Sequence, residues 1–167
     1  DILRDVLLTV NLDNQDRFLQ MVLEEKAGEE AGLIPGGHSV VGLRLRSQFD
    51  EAAWVTEQME GVTYLFFLRE LAERIESDWE GVLAQLRAVK DHIVQRSTLL
   101  VNATMPDTDR AQLKPHLARL IEALPAGDRK LATWTPAYRS VHEGLTLPAQ
   151  VNYVGKGMNL YDAGYTL

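Results

Sequence analysis

The stretch S-D-W-E-G-V-L-A-Q-L-R-A-V-K-D-H-I, from Ser77 to Ile93, carries the strongest local signal in this sequence. Ser77 and Glu80 have the spacing of a capping box, in which the two side chains satisfy backbone N–H groups at a helix start. Apolar residues then recur at helical spacing, namely Trp79, Val82, Leu83, Leu86, Val89 and Ile93. The stretch therefore predicts an amphipathic helix that continues to about Gln95 and uses its apolar side for core packing.

Upstream of this stretch the pattern predicts one helix after another. Asp13 is the expected N-cap of the first, and the run Ile34–Gly37 ends it because proline and paired glycine stop helices. Ser47 and Asp50 repeat the capping-box spacing, with Asp in the acidic position. The expected helices cover residues 14–33, 38–48, 50–59 and 62–75.

Downstream, two short segments have the composition or the alternation of strands. Thr98–Thr104 is rich in strand formers, and Ala149–Val154 alternates with a two-residue period. Between them, leucines from Leu113 to Leu124 predict a helix, which either begins near Lys114 or is kinked at Pro115. Such an order predicts a mostly helical fold with a small sheet, unless the rest of the sheet lies outside this chain.

Bulk composition excludes several classes of protein. The chain has 167 residues, a net charge of −7 and no cysteine. Phosphate binding needs clustered basic residues, so the acidic balance argues against a nucleic-acid partner. The lack of cysteine excludes disulfides and thiolate metal sites, and it fits a reducing compartment.

Targeting signals are also not expected. No uninterrupted run of 18 apolar residues occurs, so we expect no membrane span, and the first ten residues lack the basic leader and cleavage site of a signal peptide. Because the sequence begins without Met and inside a helical pattern, we expect it to be cut from a longer protein. The compartment is left open, with a cytoplasmic location as the default.

The motif Gly155-Lys156-Gly157 fails both tests for phosphate binding. A P-loop needs Ser or Thr after the lysine and glycine five positions before Gly155, where this chain has Gln150. The dinucleotide pattern fails because Leu160 takes the place of its third glycine. The glycines are predicted to end a strand instead.

No local pattern assigns a catalytic, cofactor-binding or metal-binding residue. The histidines, which are His38, His92, His116 and His142, form no zinc motif such as H-x-x-E-H. A cysteine nucleophile and a G-x-S-x-G elbow are both absent, although a triad assembled in space stays open. The acidic run Glu24–Glu30 allows paired carboxylates or, as we prefer, a solvated helix face.

Three ordered stretches resemble presequence proteases, of the pitrilysin and insulin-degrading group of zinc metallopeptidases. They are F-L-Q-M-V-L-E-E-K from Phe18, W-V-T-E-Q-M-E-G-V-T-Y-L-F-F-L from Trp54 and P-A-Q-V-N-Y-V-G-K from Pro148, with S-D-W-E-G between the last two. The similarity runs along nearly the whole chain. It implies a piece of the family's C-terminal half, without the zinc motif and ending before an R-x-x-G-G-A-Y-like segment.

The resemblance also implies a domain assignment. Residues 1–125 would be the helix-rich, non-catalytic part of the third peptidase domain, residues 126–147 a linker, and residues 148–167 the first strand region of the next domain. The fold class would be α+β, mostly helical with a small partial sheet, within a larger pitrilysin-type α/β domain. Zinc would belong to the parent protein and not to this chain.

Three functional hypotheses follow. The first, which the resemblance favours, is a non-catalytic wall and packing segment of a peptidase that degrades unstructured peptides, partnered by the rest of the parent chain and by the parent's peptide substrates. The second is a self-contained helical interaction module without enzymatic activity. The third is a small enzyme with a site assembled from distant residues. Strand edges at Thr98–Thr104 or Ala149–Val154 also predict a homodimer of the isolated chain.

Overall fold

Seven helices form the regular structure of the described residues, which are 2–128, 131–138 and 142–166 of a computed structural model. They are α1 Ile2–Thr9, α2 Gln15–Leu33, α3 Gly37–Arg46, α4 Glu51–Glu60, α5 Val62–Ser77, α6 Trp79–Ile93 and α7 Asp107–Ala123. The predicted helices up to residue 95 are thus confirmed with small shifts at their ends. Among the described residues, no helix combines the length and apolar character needed to cross a bilayer.

The predicted α+β class with a partial sheet is wrong, because the described residues contain no strand. Thr98–Thr104 and Ala149–Val154 lie outside every helix and have no strand partner in this part of the chain. A strand exists only where a neighbour satisfies its N–H and C=O groups, and alternation of side chains cannot supply that neighbour. Leu100 and Val154 are accordingly 91% and 92% exposed, so no sheet face is buried at either one.

The described chain divides into two compact units. The larger unit comprises Gln15–Ser77 and Trp134–Leu167, and the smaller comprises Asp1–Asn14 and Asp78–Thr133. In the larger unit α5 packs against both α2 and α4, while α3 packs against α4 and α2. Its core is formed by the buried side chains Val22, Ala53, Val62, Leu65, Leu68, Ala72 and Ile75.

The start of α4 in the larger unit uses a different cap from the predicted pair. Asp50 is the N-cap, and its carboxylate accepts a hydrogen bond from the Ala53 N–H at 2.7 Å. Ser47 instead ends α3, where its hydroxyl donates to the Arg44 carbonyl at 2.8 Å. A carboxylate at this position also complements the positive end of the helix dipole.

The start of α6 in the smaller unit corrects the predicted capping box in the same way. Asp78 is the N-cap and accepts from the Gly81 N–H at 3.1 Å. The Ser77 hydroxyl donates to the Glu73 carbonyl at 2.8 Å in the last turn of α5. Ser and Asp are comparable caps by residue type, and the charged one takes the position that faces the helix dipole.

Hydrogen bonds across long sequence separations hold the smaller unit together. The Trp79 indole N–H donates to the Asp13 carboxylate at 2.9 Å, and the Lys90 ammonium donates to the Leu8 carbonyl at 3.3 Å. Arg96 donates to the carbonyls of Glu122 and Leu124, at 2.9 and 3.1 Å, where α7 ends. Because a helix leaves its last carbonyls unpaired, this arginine supplies donors and a favourable charge at that end.

The third predicted feature of the C-terminal half was a helix near residue 113. α7 begins earlier, at Asp107, and runs through Pro115, so neither of the two predicted alternatives gives its start. The described residues of 126–147 contain no helix or strand. The assignment of 1–125, 126–147 and 148–167 to peptidase domains and a linker stays a prediction.

Candidate functional site

The four histidines lie apart from any metal-binding group in the described residues. His38, His92, His116 and His142 are all exposed. In residues 2–128, 131–138 and 142–166, no three or more His, Asp or Glu side chains gather in a way that could hold a metal ion. A zinc ion needs three or four such ligands, so the described residues do not fit a zinc site.

The acidic run of α2 makes separate contacts. Glu24 accepts from Gln20 at 2.8 Å, one turn earlier on the same helix. Glu30 accepts from Arg69 of α5 at 2.7 Å. These contacts are those of a solvated helix face with partners on its own and a neighbouring helix.

The glycines of Gly155-Lys156-Gly157 pack against α3. A Cβ atom at Gly155 would overlap the side chains of Val41 and Leu45, so a larger residue there would displace the segment. Two residues earlier, the Tyr153 ring lies over Gly37 and its hydroxyl donates to the Ile34 carbonyl at 2.6 Å. The glycines thus allow a close approach of an extended segment to a helix, and the prediction that they end a strand is wrong.

Arg44 joins the same C-terminal segment to the core of the larger unit. Its guanidinium makes an ion pair with Glu57 at 2.8 Å and two hydrogen bonds to Glu143, at 2.7 and 3.2 Å. Glu57 is only 1% exposed, and it also accepts from the Thr63 N–H at 3.0 Å and the Thr63 hydroxyl at 2.7 Å. The buried carboxylate is therefore paired and hydrogen-bonded at the first turn of α5.

Electrostatics of this network favour the charged arginine. The hydrogen bond to Glu143 raises the pKa of Arg44, burial opposes it, and the charge of Glu57 adds to the rise. The network is structural in character because its groups are already paired with one another. Sequence inspection missed it: Arg44 and Glu143 are 99 positions apart, and neither lies in a motif.

An open groove on α2 and α5, which we call the acidic groove, is the best candidate for a binding surface on the larger unit. Its apolar floor consists of Leu19 and Leu23 of α2 together with Ala72 of α5. Leu23 is 41% exposed, which is unusual for a leucine on a helix face that adjoins the core. An apolar floor that remains open to solvent is a common feature of peptide-binding surfaces.

Carboxylates dominate the edges of this groove. Its charged lining residues are Asp16, Glu24, Glu30, Glu73 and Glu76, against Lys26 and Arg69. Arg69 is already engaged, since it pairs with Glu30 at 2.7 Å and its guanidinium carbon lies 5.9 Å from the centre of the Phe66 ring. The groove consequently presents a surplus of negative charge around apolar side chains.

Comparison with known proteins relates the chain to peptidases. Residues 1–71 match a family of domains described as associated with M16 peptidases of subfamily C. Presequence protease 1, chloroplastic/mitochondrial, of Arabidopsis thaliana is 32% identical over 168 residues, which cover 100% of this chain and 16% of that protein. Protein HypA of Clostridium perfringens is 22% identical over 165 residues, which cover 99% of this chain and 17% of that protein. The chain therefore spans about a sixth of the length of these curated relatives.

Proposed function

The chain belongs to the presequence protease-like group of M16 peptidases, and we propose that it is a non-catalytic part of a zinc metallopeptidase that degrades unstructured peptides. In this role it contributes to the wall of the substrate chamber and to packing between domains. The observation that carries the proposal is the 32% identity to presequence protease 1, which extends over the full length of the chain.

Exposed apolar side chains support a packing role. Ile2 and Leu3 on α1 are 81% and 69% exposed, and Leu100 and Val154 in the extended segments are more exposed still. Isolated soluble domains rarely leave several large apolar residues so open within short segments. The rest of a parent chain would cover these residues, which is the partner we propose.

The zinc of such a peptidase would be held elsewhere in the parent protein. The described residues lack a suitable ligand group. The chain also lacks cysteine, which leaves His, Asp and Glu as the zinc ligands to consider. No catalytic step is therefore assigned to any residue of this chain.

The coding sequence on either side of this segment provides the first test. An H-x-x-E-H motif far upstream and an R-x-x-G-G-A-Y-like segment just downstream would support the proposal. A start codon directly before Asp1 together with a stop codon after Leu167 would refute it, and a self-contained interaction module would replace it.

Activity provides the second test. The protein encoded by the whole reading frame is expected to cleave an unstructured peptide and to lose this activity when a chelator removes zinc. The 167-residue chain alone is expected to cleave nothing under the same conditions. Cleavage by the isolated chain would contradict a non-catalytic role.

A further inference from the structure

We propose that the acidic groove is a docking site for a basic amphipathic peptide helix. This inference goes beyond the peptidase proposal, because it concerns binding by the chain itself and requires no cleavage. Two observations carry it together: an apolar floor that stays open to solvent, and a surplus of carboxylates along the edges of that floor.

The floor selects the apolar side of the ligand. Leu19 and Leu23 are four residues apart on α2, so they lie on one face of the helix, and Ala72 adds a small buried surface from α5. Small and medium apolar side chains leave room for the leucine-sized anchors of a partner helix. Such helices place their anchors at the same three- and four-residue spacing.

The edges select the charge of the ligand. Glu73 and Glu76 line the α5 side, and Asp16 and Glu24 line the α2 side. Lys26 is the basic lining residue left after Arg69 pairs with Glu30. Lysine or arginine on the partner would meet this negative surplus, and the net charge of −7 would increase the association rate with a basic ligand.

The size of the groove sets the length of the ligand. From Leu19 to Glu30 the lining of α2 spans three turns, or about 16 Å at the rise of an α-helix. A peptide of about 15 to 18 residues would cover this length with one apolar face. Longer extended peptides would leave the floor contacts unmatched.

A binding titration tests the proposal directly. The probe is a fluorescein-labelled peptide of about 18 residues, with leucines on one helical face and lysines on the other. Its anisotropy is followed as the 167-residue chain is added at two salt concentrations. A scrambled peptide of the same composition and a version with Glu in place of Lys serve as ligand controls.

Matched variants separate docking in the groove from general attraction to an acidic protein. The double variant Glu73→Gln/Glu76→Gln removes two groove carboxylates, and we expect binding at least about fivefold weaker. The double variant Glu51→Gln/Glu60→Gln removes two exposed carboxylates of α4 outside the groove and changes net charge equally. We expect it to change affinity by less than about twofold, because exposed charges beyond about 10 Å are screened at moderate salt.

A third variant tests the apolar floor. Leu23→Ser leaves every charge in place, and the 41% exposure of Leu23 makes the fold tolerant of the change. It should weaken binding of the amphipathic peptide and not the weak salt-dependent binding of the scrambled peptide. Far-ultraviolet circular dichroism verifies that each variant is folded.

Two results would overturn the inference: equal loss of affinity in both double variants, or equal affinity for the amphipathic and scrambled peptides. Neither would affect the peptidase proposal, which depends on the flanking sequence and on cleavage by the whole protein. Conversely, tight groove-dependent binding by a chain that proves to be a complete small protein would retain this inference and refute the other.

Discussion

Replacing Glu57 by alanine tests how the larger unit is held together. This side chain is 1% exposed, and it accepts two hydrogen bonds from Thr63 besides its ion pair with Arg44. Glu57→Ala leaves the Thr63 N–H without its partner at the start of α5 and removes a buried counter-charge. We expect a clear loss of stability in the larger unit.

The magnitude follows from these contacts. A hydrogen bond to a charged group contributes about 1.5 to 3 kcal/mol, and breaking a buried ion pair costs about 3 to 5 kcal/mol. Arg44 keeps Glu143 as a partner and is 30% exposed, which reduces the penalty at that side. We therefore expect the free energy of unfolding of the larger unit to fall by about 3 kcal/mol for Glu57→Ala. Glu57→Gln, which can still accept from Thr63, should lose about 1 to 2 kcal/mol.

Tryptophan fluorescence during urea unfolding can isolate the larger unit. The chain has 3 tryptophans. Trp54 and Trp134 stack in the larger unit with ring centres 5.6 Å apart, whereas Trp79 belongs to the smaller unit. In a Trp79→Phe background the signal therefore reports on the larger unit alone.

The control for this experiment is Glu70→Ala, an exposed position on α5, which should change the free energy of unfolding by less than about 0.5 kcal/mol. A loss of under about 1 kcal/mol for Glu57→Ala would mean that the carboxylate contributes little once its desolvation is counted. That result would refute the account of the Arg44 network given above.

Three further predictions concern other contacts. Glu143→Gln should weaken the hold of Arg44 on the C-terminal segment, so amide exchange of residues 142–157 should accelerate while global stability falls by no more than about 1 kcal/mol; unchanged exchange would contradict this. Burial raises the pKa of Tyr64 above 10.0, so the folded state holds this proton more tightly, and the stability it contributes is complete below about pH 10 and is lost as pH rises through the folded pKa. The difference between the 295 nm titrations of the wild type and Tyr64→Phe should therefore show a phenol that ionises late, and an ordinary midpoint would refute the prediction. Asp78→Ala should destabilise the smaller unit by about 1 kcal/mol through the lost cap on Gly81, with Asp78→Asn largely retaining it, as measured by Trp79 fluorescence.

The sequence by itself determined most of the helices. The stripe through Val82 and Leu83 predicted α6, and the run Ile34–Gly37 correctly ended α2. These signals depend on residues three or four apart and on backbone preferences of single residues, so the information needed is local. The lack of any zinc or nucleophile motif was also visible from spacing alone.

Caps could be predicted only in part, because the choice among neighbouring candidates is not local. Ser77 and Asp78 are both good capping residues, and so are Ser47 and Asp50. In both pairs the aspartate takes the N-cap position, and each serine bonds back into the preceding helix. Where one helix ends and the next begins depends on how both pack.

Tertiary structure alone decided the contacts that give the larger unit its character. Arg44 reaches Glu143 across 99 positions and Tyr153 reaches Ile34 across 119, and no periodicity encodes either pair. The same cause explains the strand prediction that failed, since alternation at Ala149–Val154 specifies an extended backbone but not its partner. In this chain the partner is helix α3 and not another strand. Local pattern fixes the conformation of a segment, whereas its neighbours are fixed by which buried polar and apolar groups can be satisfied together.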